Sequence, residues 1–204
     1  MAAEAASQRE SPRRIFIIGA IGSGKSTLAR ELGNTLDLPV HGLDSILREG
    51  GGGGPARPVD VRVAELALIA DQPSWIVEGV HLDDTEPLMA RAELIVWLDH
   101  LRWWRSSARV VRRFVSGAWV EVRRRRGRER FLRFGDYGRR LRELGGAIGQ
   151  SRGYAINDSR ATPVTRAAVA GRLSRFGDKV LRCTSEADVD NLLRRLRPAT
   201  ARSP

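Results

Sequence analysis

A single cysteine, Cys183, in 204 residues leaves no partner for a disulfide and too few thiolates for a zinc site. Histidine is almost as scarce, and His41, His81 and His100 are too scattered to read as anything but ordinary polar residues. No segment approaches the roughly 20 consecutive apolar residues of a membrane span, so no membrane partner is expected. Met1 to Arg13 is small, polar and charged, unlike a signal peptide, and a cytoplasmic location is the expectation. No internal repeat is visible, and the guanine-specifying pattern N-K-x-D is missing, which argues against a GTPase switch. Lysine is the rarest charged residue: of 35 lysines and arginines, only Lys25 and Lys179 are lysine.

What is present is a soluble globular composition, 42% hydrophobic, of a length that suits one domain. The formal charge of +11 is concentrated in the middle. From Arg102 to Arg142 fifteen arginines face only Glu121, Glu129 and Asp136, and they include the run Arg123 to Arg126, then Arg128 and Arg130. Such a surface attracts polyanions, whether nucleotide phosphates or, without sequence preference, a nucleic acid backbone. The plainer reading is a solvated helical face biased to arginine.

The one lysine in a glycine-rich setting marks the most specific motif. Gly19, Ala20, Ile21, Gly22, Ser23, Gly24, Lys25 and Ser26 fit G-x-x-x-x-G-K-[ST], and Thr27 follows. The apolar run Arg14 to Ile18 ends directly in Gly19, and Leu28, Ala29, Leu32 and Leu36 recur at helical spacing beyond Ser26. A buried strand, a phosphate-cradling loop and a helix are therefore expected, binding a nucleoside triphosphate. The glycines allow backbone N–H groups to face the phosphates, and the helix adds its positive end. Lys25 would reach the β- and γ-phosphates, and the Ser26 hydroxyl would ligate Mg²⁺.

Further strands are expected at Leu38 to Gly42, Trp75 to Val77, Leu94 to Leu98 and Lys179 to Arg182. Helices are expected from Asp60, as N-cap, through Ala70, from Arg102 to Phe114, and from Glu186 to Arg197. The five glycines Gly50 to Gly54 read as a mobile loop, either a closing flap or a passive linker. Alternation of strands and helices predicts an α/β fold with a parallel sheet and ligands at the carboxyl ends of its strands.

Three carboxylates fall at those ends. Asp44 follows the second strand and is placed to orient or deprotonate an acceptor hydroxyl, to hold Mg²⁺ through water, or simply to cap the Ser45 helix. Glu78 closes the third strand, facing an acceptor or a metal-bound water, or making a structural hydrogen bond beside Gly79. Asp99 ends the fourth as a second acidic nucleotide-site residue and metal candidate, but His100 follows it where a motor ATPase would carry a water-activating glutamate.

The run Ile17 to Leu32, then Leu38-Pro-Val with Leu43-Asp44, Trp75 to Gly79 and Ala92 to Asp99, resembles small P-loop kinases related to adenylate kinase, in the branch usually labelled topology modulation proteins. The resemblance implies a three-layer P-loop NTPase fold with a five-stranded parallel sheet, ATP with Mg²⁺, and a mobile arginine-bearing lid after the fourth strand. By position it makes Arg109 and Arg113, one helical turn apart, lid residues that face phosphates, with Arg102 a weaker match. The resemblance covers about 14–114 and the closing strand and helix, and a single domain over 14–197 is expected, with a lid or insert at about 115–160, between a disordered tail 1–13 and a tail 198–204. The glycine run replaces any recognisable nucleotide-monophosphate clamp. The leading expectation is transfer of the γ-phosphoryl of ATP to a nucleotide or other small-molecule acceptor. The alternative is a nucleotide-dependent nucleic-acid-binding or regulatory ATPase using the basic 102–142 region.

Overall fold

The computed structural model describes residues 11–52, 54–82, 84–99, 145–146, 148–150, 152–159, 162 and 164–197. Arg102, Arg109, Arg113, the 123–130 arginine run, most of the expected insert and both chain ends lie outside the described residues.

Five strands make one sheet: β1 (Arg14–Gly19), β2 (Val40–Gly42), β3 (Trp75–Gly79), β4 (Leu94–Leu98) and β5 (Val180–Cys183). All four pairings are parallel, in the order β2-β3-β1-β4-β5. The β1 sequence explains its central place: both faces must be apolar for a strand covered on both sides, and Ile15 to Ile18 are fully buried. Alternate residues divide between two cores. Phe16 and Ile18 join Val77, Ile95 and Trp97 on one face, while Ile15 and Ile17 join Ile76, Val96 and Leu98 on the other.

Helices fill the outer layers. α1 (Lys25–Leu36) and α6 (Glu186–Leu196) press Leu28, Leu32 and Leu192 onto the second face. The first face is covered by α2 (Leu43–Leu47), α3 (Val59–Ala70), α4 (Glu86–Arg91), α5 (Arg166–Leu173) and Tyr154 from the helical residues 152–156. This is the expected five-stranded parallel sheet with helices on both faces. Among the described residues no helix is long and apolar enough to cross a membrane.

Local chemistry sets the boundaries. α1 stops where Asp37 turns left-handed (φ 53°) and returns its N–H to the Gly33 carbonyl. α6 begins with a capping box in which Ser185 Oγ accepts from the Asp188 N–H and the Asp188 carboxylate accepts from the Ser185 N–H. Elsewhere the boundaries differ from expectation. α3 starts at Val59 with Pro58 before it, so Asp60 stands inside the first turn instead of capping it, where its charge still suits the helix's positive end. Asp44 likewise lies within α2, and the turn is closed by Ser45 Oγ donating to the Gly42 carbonyl. The glycine run opens with a 3-10 turn at Glu49–Gly52 and folds back on itself, with Glu49 N–H donating to Pro55 and Gly54 N–H donating to Glu49. α4 and α5 have no counterpart in the sequence-based expectations, because neither carries a long apolar period.

One close approach positions the polar rim. A Cβ at Gly79 would lie 2.6–2.9 Å from three Leu43 side-chain atoms, so only glycine lets the end of β3 meet the start of α2. Gly79→Ala should therefore destabilise the fold by about 1–3 kcal/mol, the range for an overpacked core. Chemical denaturation of the two proteins measures it, and equal midpoints would refute the close-approach argument.

Candidate functional site

The loop between β1 and α1 is shaped by two glycines with positive φ, Gly22 (77°) and Gly24 (94°), the second directly before the first helical residue. No acidic residue stands in the first turn of α1, so its positive end stays available to an anion. Lys25 is buried, and its Nζ donates to the Ala20 carbonyl at 2.9 Å, reaching back across the loop it follows. Gly19 is fixed by crowding: a Cβ there would meet the Leu98 carbonyl at 2.7 Å. Ser23 Oγ is fully enclosed and has no hydrogen-bond partner among the described residues.

Glu78 joins the loop directly. Its carboxylate accepts from Ser26 Oγ at 2.8 Å, so the serine proton is committed and the oxygen keeps lone pairs for a cation. No three His, Cys, Asp or Glu side chains gather into a metal-holding group among the described residues. Mg²⁺ does not require one, since it keeps several waters and takes one or two protein ligands plus phosphate oxygens. Ser26 with Glu78 beside it fits that pattern. An open depression of about 580 Å³ shares these two residues and runs along α1 past Arg30 and Asn34 to Val40. None of Gly19 to Lys25 lines it, so it flanks the phosphate loop.

Across the same rim stands Asp44, largely exposed. Because Gly79 brings β3 against α2, His81 arrives opposite it, with Nε2 3.2 Å from Asp44 Oδ1. That hydrogen bond holds the Asp44 carboxyl below the usual carboxylate range. Partial burial opposes the shift, and the charges of His81, Lys25 and Arg48 support it. The Lys25 contribution shows that Asp44 and the phosphate loop share one electrostatic field. His81 was invisible as a site residue in the sequence, since nothing in a 37-residue separation signals the pairing.

Asp99 has a different setting from the one expected of a metal ligand. Its side chain is 4% exposed and lies between two guanidiniums. Arg166 donates through Nε and Nη2 at 2.8–3.0 Å, and Arg182 through Nε and Nη2 at 2.8 and 2.6 Å. A divalent cation placed there would face two positive charges, which argues against the expected metal role. Arg182 also lies over the Trp97 ring, 4.6 Å from its centroid. Trp97 Nε1 donates to the Tyr154 hydroxyl at 2.8 Å, and burial pushes that hydroxyl's pKa up to about 12. Burial also pushes the Cys183 thiol up to about 11, leaving it an inert core residue.

The chain matches no family model and no curated protein in sequence. Among solved structures it is similar to shikimate kinase from Aquifex aeolicus, at 15% identity and a TM-score of 0.42, over 90% of this chain and 95% of that one. It is similar also to shikimate kinase from Bacteroides thetaiotaomicron, at 13% identity and 0.42, over 91% and 97%. A gluconokinase from Sinorhizobium meliloti aligns at 18% identity and 0.37, over 83% and 96%.

The pKa of Asp44 gives a direct check on the rim. Folding lowers it, so the associated stability is present above the unfolded carboxyl value, about 3.9, and is lost as pH falls through the folded value. His81→Ala should move the Asp44 titration upward in ¹³C NMR of the metal-free protein. An unchanged titration would show that the hydrogen bond is not made in solution.

Proposed function

We propose that the chain is an ATP-dependent phosphotransferase acting on a hydroxyl of a small molecule. The observation that carries this reading is the convergence of Lys25, the Ser26–Glu78 pair and the Asp44–His81 pair on one sheet rim. ATP would lie with its phosphates in Gly19 to Thr27, with Lys25 at the β- and γ-phosphates and Ser26 and Glu78 toward Mg²⁺. The bound metal would supply neutralisation of charge on the transferring phosphoryl.

Asp44 is held as a carboxylate, and this favours an alcohol acceptor over a phosphate. An alcohol must lose its proton and benefits from a carboxylate to receive it, whereas a phosphate acceptor is already ionised and would be repelled by Asp44. In the transfer the acceptor oxygen bonds to the γ-phosphorus, its proton passes to Asp44, and the bond to the β–γ bridging oxygen breaks to release ADP. His81 keeps Asp44 oriented. The resemblance to the topology modulation branch adds Arg109 and Arg113 as lid residues facing the phosphates. The nucleic-acid alternative rests on 102–142, and no described residue favours it.

Incubation with ATP and Mg²⁺ across polyols, hydroxy acids, nucleosides and nucleoside monophosphates, read by mass spectrometry, tests the proposal. An alcohol acceptor should be phosphorylated, Lys25→Ala should abolish the product, and Asp44→Asn should slow it about 10²–10⁴-fold with little change in ATP affinity. Transfer only to nucleoside monophosphates would sink the hydroxyl reading, and no product from any of them would sink transfer altogether.

A further inference from the structure

We infer that Arg166 and Arg182, locked together by Asp99, form a second anion-binding wall that contacts the phosphate chain of the bound nucleotide. The inference rests on the preceding proposal for ATP at the phosphate loop, and it assigns a partner to residues that neither the motif nor the expected lid includes.

Leu98 pairs with Gly19 across β1 and β4, so Asp99 stands one residue beyond the strand position that adjoins the start of the phosphate loop. The Asp99 N–H donates to the Cys183 carbonyl, which ties the ends of β4 and β5 together. Both guanidiniums therefore converge on the carboxyl end of β4, the strand that adjoins β1, with Arg182 itself on β5 one strand further out.

One carboxylate between two arginines leaves a net charge of +1 at that point. Each arginine spends its Nε and Nη2 edge on Asp99, and among the described residues neither Nη1 has a hydrogen-bond acceptor. Yet the side chains of Arg166 and Arg182 are 44% and 47% exposed. Two unspent donor edges, fixed in direction, are suited to phosphate oxygens. Stacking of Arg182 on Trp97, and anchoring of both arginines through a nearly buried carboxylate, fix them before any ligand arrives, so little side-chain ordering remains to be supplied on binding. A merely structural clamp would have no use for the exposed edges.

Calorimetric titration of the full chain with Mg·ATP, Mg·ADP, AMP and adenosine, beside thermal unfolding of each variant, decides the matter. Arg166→Ala and Arg182→Ala should each weaken ATP binding by on the order of tenfold, the effect of losing a charge-assisted hydrogen bond. The loss should shrink toward adenosine. If the alanine variants do not fold, Arg166→Lys and Arg182→Lys, which keep charge but lose the fork, should show the same graded loss. Variants that melt earlier but bind ATP as the wild type does would reduce the clamp to a structural role and overturn the inference. An equal loss for adenosine would place the contact on the base and overturn the phosphate assignment. Wild type that binds no ATP, with Lys25→Ala indistinguishable from it, would instead remove the underlying reading.

Discussion

The position of β1 between β3 and β4, all three parallel, is the constraint on which the remaining features depend. A central strand must be apolar on both faces, and its polar termination can come only at its end. Its neighbours end beside it, since Gly79 is in register with Ile18 and Leu98 with Gly19. Glu78, Asp99 and the phosphate loop thus share one rim because the strands run the same way in register. An antiparallel neighbour would have carried its carboxylate to the opposite edge.

The two acidic strand ends then diverge because of what surrounds them. Glu78 lies near Ser26 and Gly42, where small residues leave room, and it accepts one neutral hydroxyl. Asp99 lies against two arginines delivered by α5 and β5, elements far along the chain. Similar carboxylates at the carboxyl ends of two parallel strands therefore have unlike chemistry: one remains near a would-be cation, and the other is neutralised. The distinction is made by long-range packing, on which strand-end position is silent.

That difference marks how far the sequence could be read. The strand–loop–helix unit from Arg14 to Leu36 was legible because its signals are local: an apolar run, glycines at fixed spacing, and a helical period. The five strands and the closing helix were legible for the same reason, although β3 extends through Glu78 and Gly79. The short helices α4 and α5 were not, since six and eight residues hold too few apolar positions to show a period. His81 and Arg166 were hidden for a different reason. Each acts through a partner 37 or 67 residues away, and Arg166 is one arginine among many.

The choice between lysine and arginine follows in part what each side chain meets, although Arg48 and Arg194 also donate to backbone carbonyls. Both lysines end on backbone carbonyls, Lys25 on Ala20 and Lys179 on Ala90 at 2.7 Å. A compact ammonium with three donors can serve a single carbonyl oxygen in a narrow space. The arginines of Arg14–Glu93, Arg57–Glu65, Arg172–Glu86 and the Asp99 clamp instead meet carboxylates, which a planar fork matches. A fork at position 25 would need two parallel acceptors where the loop offers a carbonyl within its own curve. The scarcity of lysine in a strongly basic chain is thus consistent with a physical requirement at the phosphate loop, and compositional bias governs the sites where that requirement is absent.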